Sequence, residues 1–168
     1  PFKGTLMAIL ISPMIVPLII TSAGMFFFYS KIGLTHTYLG LILAHTALGT
    51  PFVVITVTAT LTGFDTNLIR ASQSLGADTM RTFFKVIMPL ILPGVISGGL
   101  FAFITSFDEV VVVMFIGSVE QITIPKQMWA GLRQETSPVI LCMATCLVAL
   151  SIALLTTVEL LRRRSERL

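Results

Sequence analysis

Four apolar stretches, each about as long as a lipid bilayer is thick, limit what this chain can fold into. A helix needs about 20 mostly apolar residues to cross the hydrocarbon core. The stretches lie near residues 5–28, 38–61, 90–116 and 138–160. Only 11% of the residues are charged, against about a quarter in soluble domains. We therefore predict an all-α membrane protein with four transmembrane spans in a single domain over residues 1–168.

Prolines interrupt the first of these spans. Pro13 and Pro17 lie four residues apart, and a proline removes a backbone hydrogen bond from a helix. A helix in lipid tolerates this loss only where neighbours or local distortion satisfy the freed carbonyls. We expect a kink in this span.

Lysine and arginine divide unequally between the two ends of the spans. With the C-terminal tail inside, eight lie on the cytoplasmic side, and only Lys31, Lys126 and Arg133 lie outside. Cytoplasmic loops carry such an excess. We predict that the 62–89 loop and the C-terminus face the cytoplasm. Basic membrane flanks also explain the net charge of +3, so we expect no nucleic-acid partner.

The 62–89 loop contains several helix signals. Asp65 and Asp78 are candidate N-caps, because a carboxylate can accept the free N–H groups of a first turn. Gly76 is placed to end the first helix, and Pro89 to close the second. The pattern predicts two short helices joined at Gly76. Such a pair can lie in the lipid headgroup layer, or it can dock into a groove on a soluble partner.

Residues 70–95, RASQSLGADTMRTFFKVIMPLILPGV, resemble the EAA motif of ABC importer permeases of the binding-protein-dependent type. The resemblance implies a MetI-like type I permease, a helical bundle with two short cytoplasmic coupling helices that dock on ATPase subunits. Two positions depart from the motif, since Arg70 replaces an acidic residue and Ser72 replaces the second alanine. The matching positions are Ala71, Leu75, Gly76, Ala77, Phe84, Pro89, Leu92, Pro93 and Gly94.

The same resemblance implies partners and a location. We expect a second permease subunit, identical or different, a periplasmic solute-binding protein and surrounding lipid in a bacterial inner membrane. The residues expected to couple to the ATPase are Ala71, Leu75, Gly76, Ala77, Asp78 and Phe84.

The resemblance covers essentially the whole chain and matches the last four of the family's usual six spans. About a hundred residues, carrying two spans, are then expected to precede it. Within the family the chain is most similar to spermidine/putrescine-type permeases, which implies a polyamine as the solute. The stretches that carry this similarity include SPMIVPLII, TPFVVITVTATLTGFDTNLI, SFDEVVVVMFIGS and TIPKQMWAGLRQETSP.

Two carboxylates, Asp108 and Glu109, lie inside the predicted third span. A charge in hydrocarbon is costly unless it faces a cavity or a counter-charge, and none of the four spans contains Lys or Arg. Adjacent helix positions point about 100° apart, so we predict that Asp108 faces a water-accessible path for a cationic substrate. Alternatively, both carboxylates lie at the outer interface near Lys126 and Arg133, since Asp108 falls about 28 Å along the helix from Pro89.

Other polar and small residues in the spans favour packing. His45 could titrate within a pathway, but a single histidine on an apolar helix is more often a hydrogen-bonded packing residue. Pro93, Gly94 and Gly98 indicate close helix packing, because a G-x-x-x-G pair lets backbones approach. That contact could lie within the chain or between two permeases.

No catalytic arrangement is recognisable. The sequence lacks the G-x-x-x-x-G-K-[ST] loop that binds ATP phosphates, so the chain is expected to be a transport subunit whose partner hydrolyses ATP. We predict no cofactor and no metal. The alternative is a fragment of a channel or of an ion-coupled secondary transporter, in which Asp108 binds the coupling ion and the 62–89 loop is merely interfacial.

Overall fold

The computed structural model describes residues 2–134 and 138–165, and the regular elements in these ranges are helices. Three helices are long and apolar enough to cross a membrane: Tyr38–Thr62, the continuous helix Thr79–Phe107, and the helix that begins at Pro138. The bent pair Lys3–Ile15 and Leu18–Lys31 counts as a fourth span if the two helices are taken together. The elements are α1 (Lys3–Ile15), α2 (Leu18–Lys31), α3 (Tyr38–Thr62), α4 (Asn67–Ser74), α5 (Thr79–Thr82), a π turn (Phe83–Ile87), α6 (Met88–Phe107), α7 (Val111–Ile116), α8 (Ile124–Gln134) and α9 (Pro138–Ser165).

The first predicted span is broken rather than kinked. The helix axis bends by 108° between α1 and α2. Val16 and Pro17 adopt extended ψ angles of 135° and 132°, as expected for Val16, because a residue before proline is pushed out of the helical region. The prolines were predicted correctly as the weak point, but residues 5–28 do not form one straight helix.

The third span ends nine residues earlier than the predicted 90–116. Helix α6 ends at Phe107, and α7 begins at Val111 after a break at Asp108–Val110. The valine-rich helix α7 packs against α2 and α3. Val112, Val113 and Ile116 are fully buried there and belong to the core that includes Tyr29, Leu41, Ala44 and Leu48. The prediction was wrong because this apolar run is buried in protein and does not extend α6.

Pro89 does not close the second short helix as predicted. From Thr79 the helix continues through the π turn into α6 and ends only at Phe107. In the π turn the Met88 N–H bonds to the Phe83 carbonyl five residues back. Pro89 follows directly after this turn, so the backbone hydrogen bonds shift from i−4 to i−5 just before a residue that has no N–H to donate. The second arm of the loop is therefore the direct extension of a span.

Helices α3 and α6 form the most extensive helix pair among the described residues. Gly94 and Gly98 are buried at this contact. A Cβ at Gly98 would lie 2.7 Å from the Val53 Cα and against the Thr56 hydroxyl, and a Cβ at Gly94 would meet the Thr60 hydroxyl. The glycines thus allow close packing within the chain, beside the partly buried Pro93.

Candidate functional sites

The first candidate site is the segment 67–87, called here the elbow, which contains α4, α5 and the π turn. Its turn has the hydrogen bonds of a Schellman motif, since the Ala77 N–H bonds to the Ser72 carbonyl at 3.1 Å and the Gly76 N–H to the Gln73 carbonyl at 3.0 Å. Gly76 has a φ of +82°, which favours glycine. The predicted turn at Gly76 is confirmed.

Both aspartates predicted as caps accept first-turn N–H groups. Asp65 Oδ1 accepts from the Asn67 N–H at 2.9 Å, and Asp78 Oδ1 accepts from the Arg81 N–H at 2.8 Å. Helix α4 is assigned from Asn67, but Thr66 already has helical backbone angles, so Asp65 stands in the capping position. The elbow therefore has a defined shape set by local sequence.

The outer surface of the elbow presents several exposed apolar side chains among polar ones. Leu75, at the tip, is 88% exposed, and Met80 and Phe84 are also exposed. Of the six residues predicted to couple to the ATPase, only Ala77 is half-buried, and Ala71, Leu75, Gly76, Asp78 and Phe84 are exposed. Arg70 is exposed as well. The six residues thus lie on one continuous segment that is accessible to a partner.

The inner side of the elbow holds a pair that the sequence did not predict. The hydroxyls of Ser72 and Thr82 lie 3.0 Å apart and hydrogen-bond to each other, and Thr82 is only 2% exposed. The departure of Ser72 from the motif is the one sequence signal that could have pointed to this contact.

The second candidate site surrounds the break after α6. Asp108 and Glu109 were predicted to lie inside a continuous span. They lie instead in the break between α6 and α7. Asp108 is exposed, whereas Glu109 is 7% exposed and its Oε1 accepts from the Val112 N–H at 2.9 Å. Glu109 therefore caps α7, whereas the Asp108 carboxylate is accessible.

Asp108 borders two cavities. One, of about 450 Å³, is shared with Glu109 and Thr105. The other, of about 300 Å³, is lined by Phe103 and Phe107 from α6 and by residues of α9. These two phenylalanines stack with ring centroids 5.6 Å apart.

A larger cleft of about 710 Å³ shares Phe103 and Phe107 with the Asp108 cavity. His45 and Ser106 lie in its wall, with the His45 Nδ1 2.8 Å from the Ser106 Oγ. The histidine is hydrogen-bonded between α3 and α6, as the packing interpretation expected. The cleft walls are otherwise mainly apolar.

A network of hydrogen bonds that the sequence did not predict holds the far end of α7. Gln121, which is buried, donates from Nε2 to the His36 carbonyl at 3.1 Å and accepts from the Ser118 N–H at 3.0 Å. The Lys126 ammonium donates to the Ser118 carbonyl at 3.0 Å. Of the two cations suggested as partners for the acidic pair, Lys126 is therefore held by this loop, and the Arg133 side chain lies outside the described residues.

Within the described residues, no group of three or more His, Cys, Asp or Glu side chains is arranged to hold a metal ion. The chemistry that the arrangement offers is recognition of charge at Asp108 and of apolar surface at the elbow.

Comparison with known proteins decides the family. The model of the family described as "Binding-protein-dependent transport system inner membrane component" matches residues 1–167. The chain belongs to this family. It is thus an integral inner-membrane component of a transport system rather than an enzyme, as the motif at residues 70–95 predicted.

Curated relatives include two polyamine permeases. The chain is 30% identical to the spermidine/putrescine transport system permease protein PotC of Haemophilus influenzae, over 98% of this chain and 62% of the relative. It is 28% identical to the putrescine transport system permease protein PotI of Escherichia coli, over 82% of this chain and 51% of the relative. The molybdenum transport system permease protein ModB of Escherichia coli is 31% identical, with 99% and 81% covered. The chain thus spans less than two thirds of the length of the two polyamine relatives.

Among solved structures, a chain of the inward-facing MetNI methionine ABC transporter superposes with a TM-score of 0.75 at 21% identity. The match covers 96% of this chain and 73% of that chain. The predicted all-α, MetI-like permease fold is confirmed.

Proposed function

We propose that this chain is the core of an ABC importer permease that moves a small cationic solute, a polyamine, inward by alternating access. ATPase subunits bind the elbow, a second permease subunit completes the path, and a periplasmic binding protein delivers the solute. Family membership supports the transport role, and the relatives PotC and PotI suggest the solute.

The observation that carries the ATPase role is the exposed apolar tip of the elbow. Leu75 stands at a turn fixed by Gly76 and by the cap at Asp78, so its side chain is presented rigidly at low entropic cost. An exposed apolar group on a rigid capped turn is suited to fill a groove on a soluble protein. The excess of Lys and Arg supports a cytoplasmic position for this surface, where ATP is available.

The observation that favours a cationic solute is the division of roles between the two carboxylates. Glu109 is buried and caps α7, while Asp108 is exposed beside the aromatic rings of Phe103 and Phe107. A carboxylate and aromatic faces both attract ammonium groups. ModB and the MetNI transporter are named for other solutes, so the polyamine assignment rests on Asp108 together with PotC and PotI.

The ATPase role is tested by placing a charge on the tip of the elbow. In the full-length permease expressed with its partner subunits, Leu75→Asp should reduce the ATPase that co-purifies by about tenfold or more, because a charge would be desolvated in an apolar groove. Val119→Asp is the matched control, since Val119 is also 88% exposed but lies beyond α7. Equal ATPase recovery in both variants would refute docking at the elbow.

The solute is tested by uptake of radiolabelled spermidine into cells. Asp108→Asn should abolish most uptake and leave ATPase recovery unchanged. ATP depletion should stop uptake, and collapse of ion gradients at constant ATP should not. Uptake that follows an ion gradient instead would favour a secondary transporter.

A further inference from the structure

A pair of hydroxyls joins the two arms of the elbow at its inner side. Ser72 on α4 and Thr82 on α5 are ten residues apart in sequence and hydrogen-bond at 3.0 Å. In α4 only Ile69 and Ser72 are shielded from solvent, and positions three apart lie on one helix face. This face is the one α4 turns toward α5 and the π turn, which it contacts. The hydroxyl pair is therefore the polar centre of the contact between the arms.

The two arms differ in how they connect to the membrane. Thr82 belongs to the helix that runs unbroken from Thr79 to Phe107 and so forms the base of a span. Helix α4 reaches that helix along the chain only through a turn whose conformation depends on Gly76. A rigid-body movement of α4 can be absorbed by the turn unless a second contact holds α4 to Thr82. The Ser72–Thr82 hydrogen bond is such a contact.

We propose that the Ser72–Thr82 pair is a positioning contact that transfers displacement of α4 to the α5–α6 helix, so that movement at the ATPase reaches the span. This inference rests on the proposed docking of an ATPase at the elbow. The pair acts separately from docking itself, because Thr82 is buried whereas Leu75 and Phe84 are exposed. Ser72, which replaces the second alanine of the motif, supplies one of the two hydroxyls.

The test uses the full-length permease assembled with its partner subunits in proteoliposomes. Ser72→Ala and Thr82→Val each remove one hydroxyl. We expect each to lower the amount of spermidine imported per ATP hydrolysed by about two- to tenfold, the range that one net hydrogen bond gives. Recovery of the ATPase should stay at the wild-type level, because the exposed tip is intact.

A second measurement does not depend on the solute. Spin labels at Gln73 and Lys85, both exposed and on opposite arms, report the distance between the arms after Cys142 and Cys146 are replaced by alanine. The wild type should give a narrow distance distribution that keeps its width when a nonhydrolysable ATP analogue is added. Ser72→Ala should broaden the distribution in both states, because the arms then lose the hydrogen bond and keep only the turn and the packing around Ile69.

Three control variants separate coupling from folding. Ser74→Ala should behave as wild type, since the Ser74 hydroxyl bonds to the Arg70 carbonyl within its own helix. The exchange Ser72→Thr with Thr82→Ser keeps both hydroxyls and should restore the transport ratio. The double variant Ser72→Ala with Thr82→Val should be no worse than the more impaired single variant, because the same hydrogen bond is lost.

An unchanged transport ratio together with an unchanged distance distribution in Ser72→Ala would overturn the inference. So would lower thermal stability with an unchanged ratio, which would mean that the pair only supports folding. Failure of the docking proposal gives a different result, in which ATPase recovery is insensitive to Leu75→Asp while the hydroxyl variants still change the distance between the arms.

Discussion

At the scale of single residues, adjacent residues with the same chemistry have different surroundings and therefore different roles. Asp108 and Glu109 are adjacent carboxylates, yet one is exposed and the other is a buried helix cap. Gly98 and Gly99 are adjacent glycines, yet a Cβ at Gly98 would clash with α3 and one at Gly99 would meet nothing within 4 Å. Each pair therefore supplies its own matched control.

Two substitutions at Glu109 distinguish the effect of its capping hydrogen bond from the effect of its negative charge. Glu109→Gln keeps an oxygen that can accept the Val112 N–H, whereas Glu109→Ala removes it. We expect the alanine variant to lose about 0.5–2 kcal/mol of stability, the usual cost of removing a helix cap, and the glutamine variant to lose less. Thermal unfolding of the detergent-solubilised full-length protein measures the difference. If the two variants melted at the same temperature, the capping role would be wrong.

The close contact between α3 and α6 makes a prediction at Gly98. Gly98→Ala must displace Val53 and the Thr56 hydroxyl, so we expect a loss of about 1–3 kcal/mol, as for overpacked cores. Gly99→Ala should be neutral or slightly stabilising, because alanine has the higher helix propensity and its methyl group meets open space. Equal melting temperatures for the two variants would contradict the close approach of the helices. The measurement is thermal unfolding in one detergent.

At the scale of elements, the sequence predicted what depends on local interactions. The turn at Gly76 and the caps at Asp65 and Asp78 follow from side chains acting within four residues of themselves, and the structure confirms the turn and both contacts. The continuation through Pro89 could not be predicted in this way. It depends on the π turn, which has no recognisable signal in the sequence.

The break between α6 and α7 was missed for a different reason. Hydropathy shows that residues 110–116 are apolar, but it does not distinguish burial in lipid from burial in protein. Only the packing of α7 against α2 and α3 resolves the two cases. The same limit applies to the site. The sequence identified Asp108 and Glu109 as costly charges but did not show that Glu109 caps α7.

Helix α7 is short, and its position depends on the hydrogen bonds at its far end. Gln121→Leu removes the bonds to the His36 carbonyl and the Ser118 N–H. We expect a loss of about 1–3 kcal/mol, because the partners are left unpaired. Hydrogen exchange should rise in residues 111–123 and stay unchanged in the elbow. The exposed Gln127 provides the control variant Gln127→Leu, and equal exchange in both variants would refute the proposed role of Gln121.

At the scale of the whole molecule, the elbow and the acidic break lie at opposite ends of one helix. Helix α6 has 20 residues and is therefore about 30 Å long, close to the thickness of the hydrocarbon core. It packs closely against α3 at Gly94 and Gly98. A displacement that enters at Thr82 can thus reach Asp108 without an intervening flexible loop.

The orientation of this path in the membrane follows from the basic residues. Helices α3, α6 and α9 alone place residues 62–89 and the C-terminus on one side of the membrane, and the bent pair α1–α2 leaves the side of Lys3 undetermined. Without Lys3, seven Lys and Arg residues lie on the elbow's side and three on the opposite side. Single cysteines at Gln73 and Val119, with Cys142 and Cys146 replaced, test this in intact cells expressing the full-length protein. An impermeant maleimide should label Val119→Cys directly and Gln73→Cys only after permeabilisation. The reverse pattern would place the elbow outside, where no ATPase could bind it, and would remove the basis for coupling through Thr82.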